Sequence, residues 1–332
     1  MFYVRPIARE DLPALLSLSE RTGAGLTTLP ANAERLTERI ERSLASFARK
    51  STKADECYVF VLVDSVAGSV VGISAIEAAV GLSEPWYNYH VGTQVHASRE
   101  LGVYTAAPTL FLSNDHTGHS ELCSLFLDAR YRRAKNGPLV SKARLIFIAE
   151  FVERFGAKVI AELRGKLDAN GRSAFWEGLG RHFFAMEYSR ADYLTGIGRK
   201  AFIAELMPRH PVYTQLLPEE ARAGIESEGF RYEGYVDIFD AGPTLECFRD
   251  NIRAVRQSRV LPVKIGESDP LPEGPPEDIL WLVSSRSFER FRATLAPGPA
   301  RIAEFPLLPH AAEVLGVRDG DAVRVVPLSP GS

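Results

Sequence analysis

A short basic loop is the feature of this sequence whose residue types and spacing most directly indicate chemistry. Arg132, Arg133 and Lys135 occur within six residues that end at Asn136 and Gly137. A long amphipathic helix is predicted directly afterwards, and the backbone N–H groups at a helix N-terminus favour an anion. The candidate residues for binding a cofactor phosphate or pyrophosphate are Arg132, Arg133, Asn136 and Gly137. A solvated basic turn fits the same pattern, because a single glycine is a weaker signal than a full glycine-rich phosphate motif.

Histidine and cysteine residues give weaker chemical signals. His182 and His210 have no second ligand at metal spacing, so we interpret both as structural and expect no metal site. Cys57, Cys123 and Cys247 are odd in number and lack a CxxC pair, which fits neither a disulfide framework nor zinc. No nucleophile-elbow motif surrounds a serine or cysteine, so a covalent intermediate is disfavoured.

The composition predicts an ordinary globular protein of two or three domain-sized units. The chain has 332 residues, of which 45% are hydrophobic and 24% charged. The 39 basic and 42 acidic residues give a net charge of -3 without a like-charge run, so neither nucleic acid nor a lipid surface is an expected partner. The N-terminus lacks a signal-peptide layout, and no apolar stretch approaches the roughly 18 residues of a membrane span. We expect a cytoplasmic protein.

The elements around the basic loop form a predicted βαβ unit. A strand at Glu121–Leu127 precedes the loop, a helix at Pro138–Phe155 follows it, and a strand at Lys158–Leu163 comes next. Upstream, the patterns predict a strand, two helices and an antiparallel meander. Their predicted bounds are Phe2–Ala8, a helix capped by Asp11, a helix at Ala31–Lys50, and strands at Tyr58–Val63, Val70–Ala75, Trp86–His96, Gly102–Ala106 and Thr109–Leu112.

The second half of the chain predicts smaller elements. Short helices are expected at Ser173–Leu179 and Arg199–Met207, with a strand at Tyr235–Phe239. Gly266–Asp278 is rich in Pro, Gly and acidic residues and reads as a linker to a small C-terminal β unit. The predicted division is therefore 1–190, 191–265 and 266–332.

This element order resembles the GNAT acyltransferase superfamily. The resemblance implies an α+β fold with a mixed, mostly antiparallel sheet flanked by helices, a smaller second α/β half and a C-terminal β unit. It also implies that residues 1–190 bind acyl-CoA: the basic loop holds the coenzyme A pyrophosphate. A bulge in the strand Glu121–Leu127 exposes backbone groups to the pantetheine arm and thioester.

Longer motifs carry the resemblance to the arginine N-succinyltransferase family. They are Gly25–Asn32 (GLTTLPAN), Glu84–Tyr89 (EPWYNY), Phe111–Gly118 (FLSNDHTG), Phe202–Pro208 (FIAELMP) and Tyr235–Pro243 (YVDIFDAGP). The match covers about Met1 to Val263. It implies succinyl transfer from succinyl-CoA to the α-amino group of L-arginine by direct attack in a ternary complex. The family's succinyl-CoA contact falls on Leu125.

The family's proton-donor histidine has no counterpart here. It lies in a Val-His-Pro segment expected between Glu220 and Gly229, where this chain contains no histidine. Glu121, which could act through water, and His116 are the remaining catalytic candidates. Asp115 and Glu121 are alternatives for binding a guanidinium, which prefers bidentate carboxylate partners.

Three interpretations stay open on sequence grounds. The chain is an active arginine N-succinyltransferase, a noncatalytic partner subunit that binds coenzyme A or arginine, or an acyltransferase for another amine such as ornithine. The sequence equally leaves open a homo-oligomer or assembly with a paralogous subunit.

Overall fold

The computed structural model describes residues 1–22, 29–197, 201–225, 234–266 and 278–329. Its strands are β1 (Phe2–Pro6), β2 (Cys57–Asp64), β3 (Ser69–Glu77), β4 (Asn88–Ser98), β5 (Val103–Ser113), β6 (Ser120–Leu127), β7 (Lys158–Glu162), β8 (Val212–Tyr213), β9 (Tyr235–Val236), β10 (Pro243–Phe248), β11 (Arg259–Ile265), β12 (Asp278–Ser284), β13 (Ala293–Pro299), β14 (Phe305–Leu307) and β15 (Ala322–Pro327). Its helices are α1 (Leu12–Ser19), α2 (Ala33–Phe47), α3 (Asn136–Glu150), α4 (Arg181–Phe184), α5 (Tyr188–Gly196), α6 (Ala201–Leu206), α7 (Glu219–Ile225), α8 (Arg253–Gln257) and α9 (Pro309–Leu315).

Strand β2 forms the centre of the first half and is buried along nearly its whole length. Its unbroken apolar run suits a strand covered on both faces. One face packs against residues of α1 and α2, including Leu15, Leu36 and Ile40. The other packs against α3 through Phe147. Helices therefore flank both faces of the sheet, as the sequence predicts.

Helix α2 begins later than its predicted start at Ala31. Asn32 has an extended backbone, and its side-chain oxygen accepts a hydrogen bond from the N–H of Arg35 at 3.0 Å. Asn32 is thus the N-cap, so the helix starts at Ala33. The same loop includes residues 25–28 of the GLTTLPAN motif, which lie outside the described residues.

The predicted βαβ unit is confirmed. β6 runs antiparallel to β3 and parallel to β7, with α3 as the crossover. β6 and β7 pair only at Ser120 with Val159 and at Glu121 with Ile160. β7 meanwhile pairs with β10 along its full length. The part of β6 after Glu121 therefore has an edge that β7 does not cover.

The second half differs from the sequence prediction at two strands. β5 is one continuous strand through Pro108, where two strands were expected, and it pairs with β4 throughout. Pro108 is tolerated on the β8 side because β8 pairs only with the next two residues, so no bond to β8 needs a Pro108 N–H. The strand expected at Tyr235–Phe239 ends at Val236, since Asp237 Oδ1 accepts from the N–H groups of Phe239 and Asp240 and turns the chain.

Trp176 is the centre of the helical layer on the second half. It is fully buried, stacks on Phe184 at 5.1 Å and contacts Phe239. The chain at Trp176–Gly180 forms a π-helical turn rather than the α-helix expected at Ser173–Leu179. The helix expected at Arg199–Met207 is α6, and residues 198–200 lie outside the described residues.

The C-terminal unit is built from β11–β15 and α9. β11 pairs antiparallel with β15 and parallel with β14, and Trp281 packs on Phe305 in its core. β13 pairs with β1, which joins this unit to the first half in one sheet. Most of the predicted linker, 267–277, lies outside the described residues, and the division at 190 and 265 stays a prediction.

The predicted α+β fold, with a mixed, mostly antiparallel sheet flanked by helices, is confirmed by this architecture. Within the described ranges, no helix has the length and apolar character that crossing a membrane requires.

Candidate active site

A bulge in β6 places backbone groups at the strand edge that β7 leaves uncovered. The register with β3 shifts: Ile73 pairs with Phe126, but Ala75 pairs with Cys123. Ser124 has φ +52, the left-handed region that non-glycine residues rarely adopt. The extra residue takes backbone groups of Ser124 and Leu125 out of the regular ladder. The structure therefore places Leu125, the predicted acyl-CoA contact, in the bulge.

A buried arginine from α3 holds the backbone beside the bulge. Arg144 is 4% exposed, and its Nη1 donates to the carbonyl oxygens of Cys123 at 3.2 Å and Ala75 at 3.5 Å. Its Nη2 donates to Ser141 Oγ at 3.2 Å. Burial lowers the pKa of Arg144 to about 10, so it stays cationic at neutral pH. Sequence reasoning missed this residue, although a charged residue among the apolar residues of a core helix was an available signal.

The basic loop is fastened to the end of β6 by Asp128. This side chain accepts from the backbone N–H of Arg130 at 3.0 Å and from Arg130 Nη2 at 2.7 Å. Arg21, just after α1, also donates to it. The hydrogen bonds from Arg130 lower the pKa of Asp128 to about 2. The loop is thereby fixed in place before the residues that the sequence assigns to phosphate binding.

The end of the loop presents backbone and cations together. Ala134 and Lys135 both have left-handed backbones, with φ 50 and φ 62, a geometry that can turn successive N–H groups toward one anion. Asn136 is buried and donates from Nδ2 to the Tyr131 carbonyl at 3.1 Å, so its side chain holds the loop. Gly137 lies in the first turn of α3.

The two predicted loop arginines are exposed. Arg132 donates from Nε to the Leu127 carbonyl at 3.2 Å. Across the described ranges, neither Arg132 nor Arg133 forms an ion pair with a carboxylate. The structure therefore gathers the predicted loop residues at the α3 N-terminus, with two cations oriented to solvent.

On the α2 side of β6 lies a cationic pocket that sequence reasoning missed. Arg39 Nη2 is 3.5 Å from Cys123 Sγ and 3.5 Å from Glu77 Oε1, and Arg42 also pairs with Glu77. A cavity of about 280 Å³ adjoins them and is lined by Pro30, Arg35, Leu36, Glu38, Arg39, Arg42 and Gly196. The arginines recur every three or four residues of α2, which puts them on one face of the helix.

Burial and neighbouring ionisable groups determine the protonation states of Arg39 and Cys123. Burial acts to lower the pKa of Arg39, but the adjacent cysteines and Glu121 outweigh it and raise the pKa above its usual value. Burial raises the pKa of the Cys123 thiol to about 11, with Glu121 adding to the shift. Cys123 is therefore a neutral thiol at neutral pH and a poor nucleophile, which agrees with direct acyl transfer.

Glu121 lies near a second carboxylate at the end of β7. Glu121 is 8% exposed, and Glu162 accepts from Asn88 Nδ2 at 2.7 Å. Burial, followed by the charges of Asp237 and Glu121, raises the pKa of Glu162 well above its ordinary value. Burial and Asp240 raise the pKa of Asp237 likewise. Asn88 and Asp237 fall in the EPWYNY and YVDIFDAGP motifs, but nothing in the sequence indicated that they pack beside Glu162.

His116 lies at the opposite end of β6 from the basic loop. It is 1% exposed, its Nδ1 is 3.2 Å from His119 Nδ1, and its ring lies edge-on to Tyr235 at 4.3 Å. Burial, with His119 adding to it, lowers the pKa of His116 to about 4. The eight residues of β6 separate the strand ends by about 23 Å. Glu121 therefore lies on β6 itself, before the bulge residue Ser124, whereas His116 precedes the start of the strand.

Asp115 and the stretch that lacks the family histidine were also singled out in the sequence. Asp115 accepts a hydrogen bond from the Tyr235 hydroxyl at 2.8 Å, next to His116. Of the stretch that lacks the family histidine, residues 221–225 lie in α7, and residues 226–233 lie outside the described residues. Among the described residues, no group of His, Cys, Asp and Glu is arranged to hold a metal ion.

Comparisons with known proteins agree with this geometry. The family described as "Arginine N-succinyltransferase beta subunit" matches residues 2–254, and its C-terminal domain matches residues 259–327. Proteins named arginine N-succinyltransferase from Citrobacter koseri and Yersinia pseudotuberculosis are 52% and 51% identical to this chain. Each alignment covers 99% of this chain and 98% of the relative. The first spans 342 positions against 332 residues here, so part of that relative has no counterpart in this chain.

A solved structure extends the comparison to the whole fold. The arginine/ornithine succinyltransferase subunit AI of Pseudomonas aeruginosa is 37% identical, superposes with a TM-score of 0.88 and is covered over 99% of both chains. The likeness spans the bulged strand, the basic loop and the C-terminal unit. By the family match and these identities, the chain belongs to the arginine N-succinyltransferase family.

Proposed function

We propose that this protein transfers the succinyl group of succinyl-CoA to the α-amino group of L-arginine. Its full-length membership in the arginine N-succinyltransferase family supports this. The observation that carries the proposal is the bulge at Ser124 and Leu125, followed directly by a fastened basic loop and the N-terminus of α3.

The acyl-CoA occupies the uncovered edge of β6 and the basic loop. The pyrophosphate binds at the α3 N-terminus, near the backbone of Gly137 and the side chains of Arg132 and Arg133. Asn136 supports this site by holding the loop. The thioester carbonyl lies beside the backbone of Leu125, where an N–H group can stabilise the oxyanion of the tetrahedral intermediate.

The amine must be neutral when it attacks. An α-amino group has a pKa of about 7.7 to 8.0, so a nearby carboxylate acting through water can remove the proton. We propose Glu121 for this step rather than His116, because Glu121 lies on β6 two residues before Cys123 and His116 lies beyond the far end of the strand. The amine nitrogen forms a bond to the thioester carbon, the C–S bond breaks, and the departing thiolate takes up a proton to give the free thiol of coenzyme A.

One observation favours a second candidate function. The family's Val-His-Pro segment has no counterpart in this chain, and a noncatalytic partner subunit would not need it. Such a subunit binds coenzyme A or arginine without releasing thiol on its own.

Thiol release from succinyl-CoA tests the proposal directly. Purified protein, with its intact mass checked against 332 residues, is mixed with succinyl-CoA alone and with L-arginine or ornithine. We expect arginine-dependent release of free coenzyme A. Binding of succinyl-CoA without release would favour the partner-subunit function, and release only with ornithine would change the acceptor.

The double variant Arg132→Gln/Arg133→Gln tests the coenzyme placement. We expect KM for succinyl-CoA to rise about tenfold, since two charge-assisted contacts to phosphate are removed. Arg9→Gln is the matched control, because Arg9 is exposed and pairs with the exposed Glu41 on α2. An unchanged KM in the double variant would remove the loop from the coenzyme site.

A further inference from the structure

We propose that Arg39 binds the free carboxylate of the succinyl group and thereby sets a preference for a dicarboxylic acyl thioester. This inference rests on the proposed function, since it assumes that the thioester lies at the bulge of β6. It assigns a specificity role to a residue of α2, outside the strand and loop that hold the coenzyme.

Arg39 lies within reach of the acyl chain. Its Nη2 is 3.5 Å from the side chain of Cys123, which precedes the bulge residue Leu125 by two positions. Two residues of strand span about 6.6 Å. In a succinyl group three C–C bonds of about 1.5 Å carry the carboxylate about 4 Å from the thioester carbon. A thioester at Leu125 whose chain is directed along β6 therefore brings its carboxylate next to the guanidinium.

The pocket beside Arg39 suits a small anion. Its lining carries Arg35, Arg39 and Arg42. Glu38 pairs with Arg35, and Glu77, beside the lining, is shared between Arg39 and Arg42. The side chain of Arg39 is only 13% exposed, so a charge-assisted hydrogen bond to it is weakly screened by solvent. A planar guanidinium also matches a carboxylate in bidentate geometry, which a methyl-ended acyl chain cannot use.

Arg39 also has a structural task that the experiment must separate. Glu77 and Glu121 face each other across β3 and β6, and like charges in that position repel. Arg39 and Arg42 offset this repulsion through Glu77. A purely structural Arg39 would affect every acyl group equally, whereas a carboxylate-binding Arg39 affects succinyl-CoA selectively.

The test is the ratio of kcat/KM for succinyl-CoA to that for butyryl-CoA, which has the same chain length and no carboxylate. In Arg39→Gln we expect kcat/KM for succinyl-CoA to fall about 100-fold, the scale of a lost hydrogen bond to a charged group. We expect kcat/KM for butyryl-CoA to change less than threefold. Arg39→Lys should recover part of the ratio, because it keeps the charge without the bidentate geometry.

A second arm distinguishes the carboxylate of the acyl group from that of the acceptor. L-Argininamide keeps the α-amino group but lacks the α-carboxylate. Arg39→Gln should leave the ratio of arginine to argininamide turnover unchanged. A change in that ratio, with the succinyl-to-butyryl ratio intact, would assign Arg39 to the acceptor and overturn the proposal.

Direct binding keeps the inference separate from the proposed reaction. Calorimetry gives the Kd of succinyl-CoA and butyryl-CoA for wild type, Arg39→Gln and the surface control Arg9→Gln. If wild type releases no thiol, the proposed function fails, yet a succinyl preference lost only in Arg39→Gln still supports the inference. Equal weakening of both thioesters in Arg39→Gln, with its thermal melting unchanged, overturns it.

Discussion

The two ends of β6 hold charge in opposite ways. At the C-terminal end, the loop from Asp128 to Gly137 brings exposed cations and a helix N-terminus together, ready for an anion. Before the N-terminal end of β6, His116 is buried with a pKa lowered to about 4, and at the C-terminal end of the neighbouring β7 burial raises the pKa of Glu162. The basic loop presents charged groups to a ligand, whereas burial favours the neutral forms of His116 and Glu162.

This difference explains why the spatial arrangement of only the basic loop was predictable from the sequence, although single residues such as His116 and Glu121 were candidates elsewhere. The basic loop is contiguous, so its cations, its glycine and the following helix appear in the right order in the sequence. The buried cluster around Glu162 joins Asn88 of β4, Glu162 of β7 and Asp237 of the turn after β9. A local sequence pattern does not show which residues from distant parts of the chain lie next to each other.

The largest expected effect tests the support of the bulge between these ends. Arg144→Met leaves the carbonyls of Cys123 and Ala75 without their buried donor, which should cost about 2–5 kcal/mol of unfolding free energy. Urea unfolding measures the loss, and KM for succinyl-CoA should rise because the bulge shifts. Arg144→Lys should restore part of both.

A stability loss in Arg144→Met with an unchanged KM would show that Arg144 stabilises the core without shaping the succinyl-CoA site. The bulge would then keep its shape without the guanidinium, and the β6 edge would owe its geometry to Ser124 alone.

The next prediction concerns His116 and acid. Its folded pKa of about 4 lies below the ordinary value of 6.5, so the unfolded chain binds the proton first as pH falls. The stability contribution is complete above pH 6.5 and is lost toward pH 4, by up to about 3 kcal/mol. His116→Gln should therefore show a shallower decline in urea midpoint between pH 6.5 and pH 4 than wild type.

A matched variant controls for histidine in general. His182 is exposed on α4, so His182→Gln should leave the wild-type decline unchanged. A decline in His116→Gln as steep as in wild type would show that other groups cause the acid sensitivity.

Glu162 should behave with the opposite sign. Its folded pKa lies above the unfolded value, so the folded chain binds the proton more tightly, and stability falls as pH rises from the unfolded value near 4.3 through the raised one. Glu162→Gln replaces the neutral acid with a neutral amide that can still accept from Asn88. We expect its melting temperature to exceed that of wild type by about 2 °C or more at pH 8 and to differ little at pH 4.

Equal melting temperatures at pH 8 would mean that Glu162 is ionised there at no cost. The contrast with the exposed cations of the basic loop would then rest on His116 alone.

The sequence was sufficient for most of the architecture around the site. The βαβ unit, the Glu121–Leu127 strand and the basic loop were each predictable, since each is a local pattern with a strong period or composition. The bulge was implied by the family resemblance, but Arg144, which holds it, is recognised only once α3 is packed on β6. Likewise, the arginines of α2 look like a solvated helix face until Arg39 is seen beside Cys123.

The smallest effect concerns the backbone of the basic loop. Ala134 has φ 50, a conformation that costs a non-glycine residue about 1 kcal/mol or more. Ala134→Gly should relieve this strain and raise the unfolding free energy by about 0.5–1 kcal/mol, with KM for succinyl-CoA unchanged. Ala143→Gly in the middle of α3 is the control of opposite sign, since glycine in a helix interior is destabilising by about 1 kcal/mol and the loss of a fully buried methyl adds to that. A destabilised Ala134→Gly would mean that the loop adopts another backbone in solution, and the anion-binding arrangement at this end of β6 would lose its support.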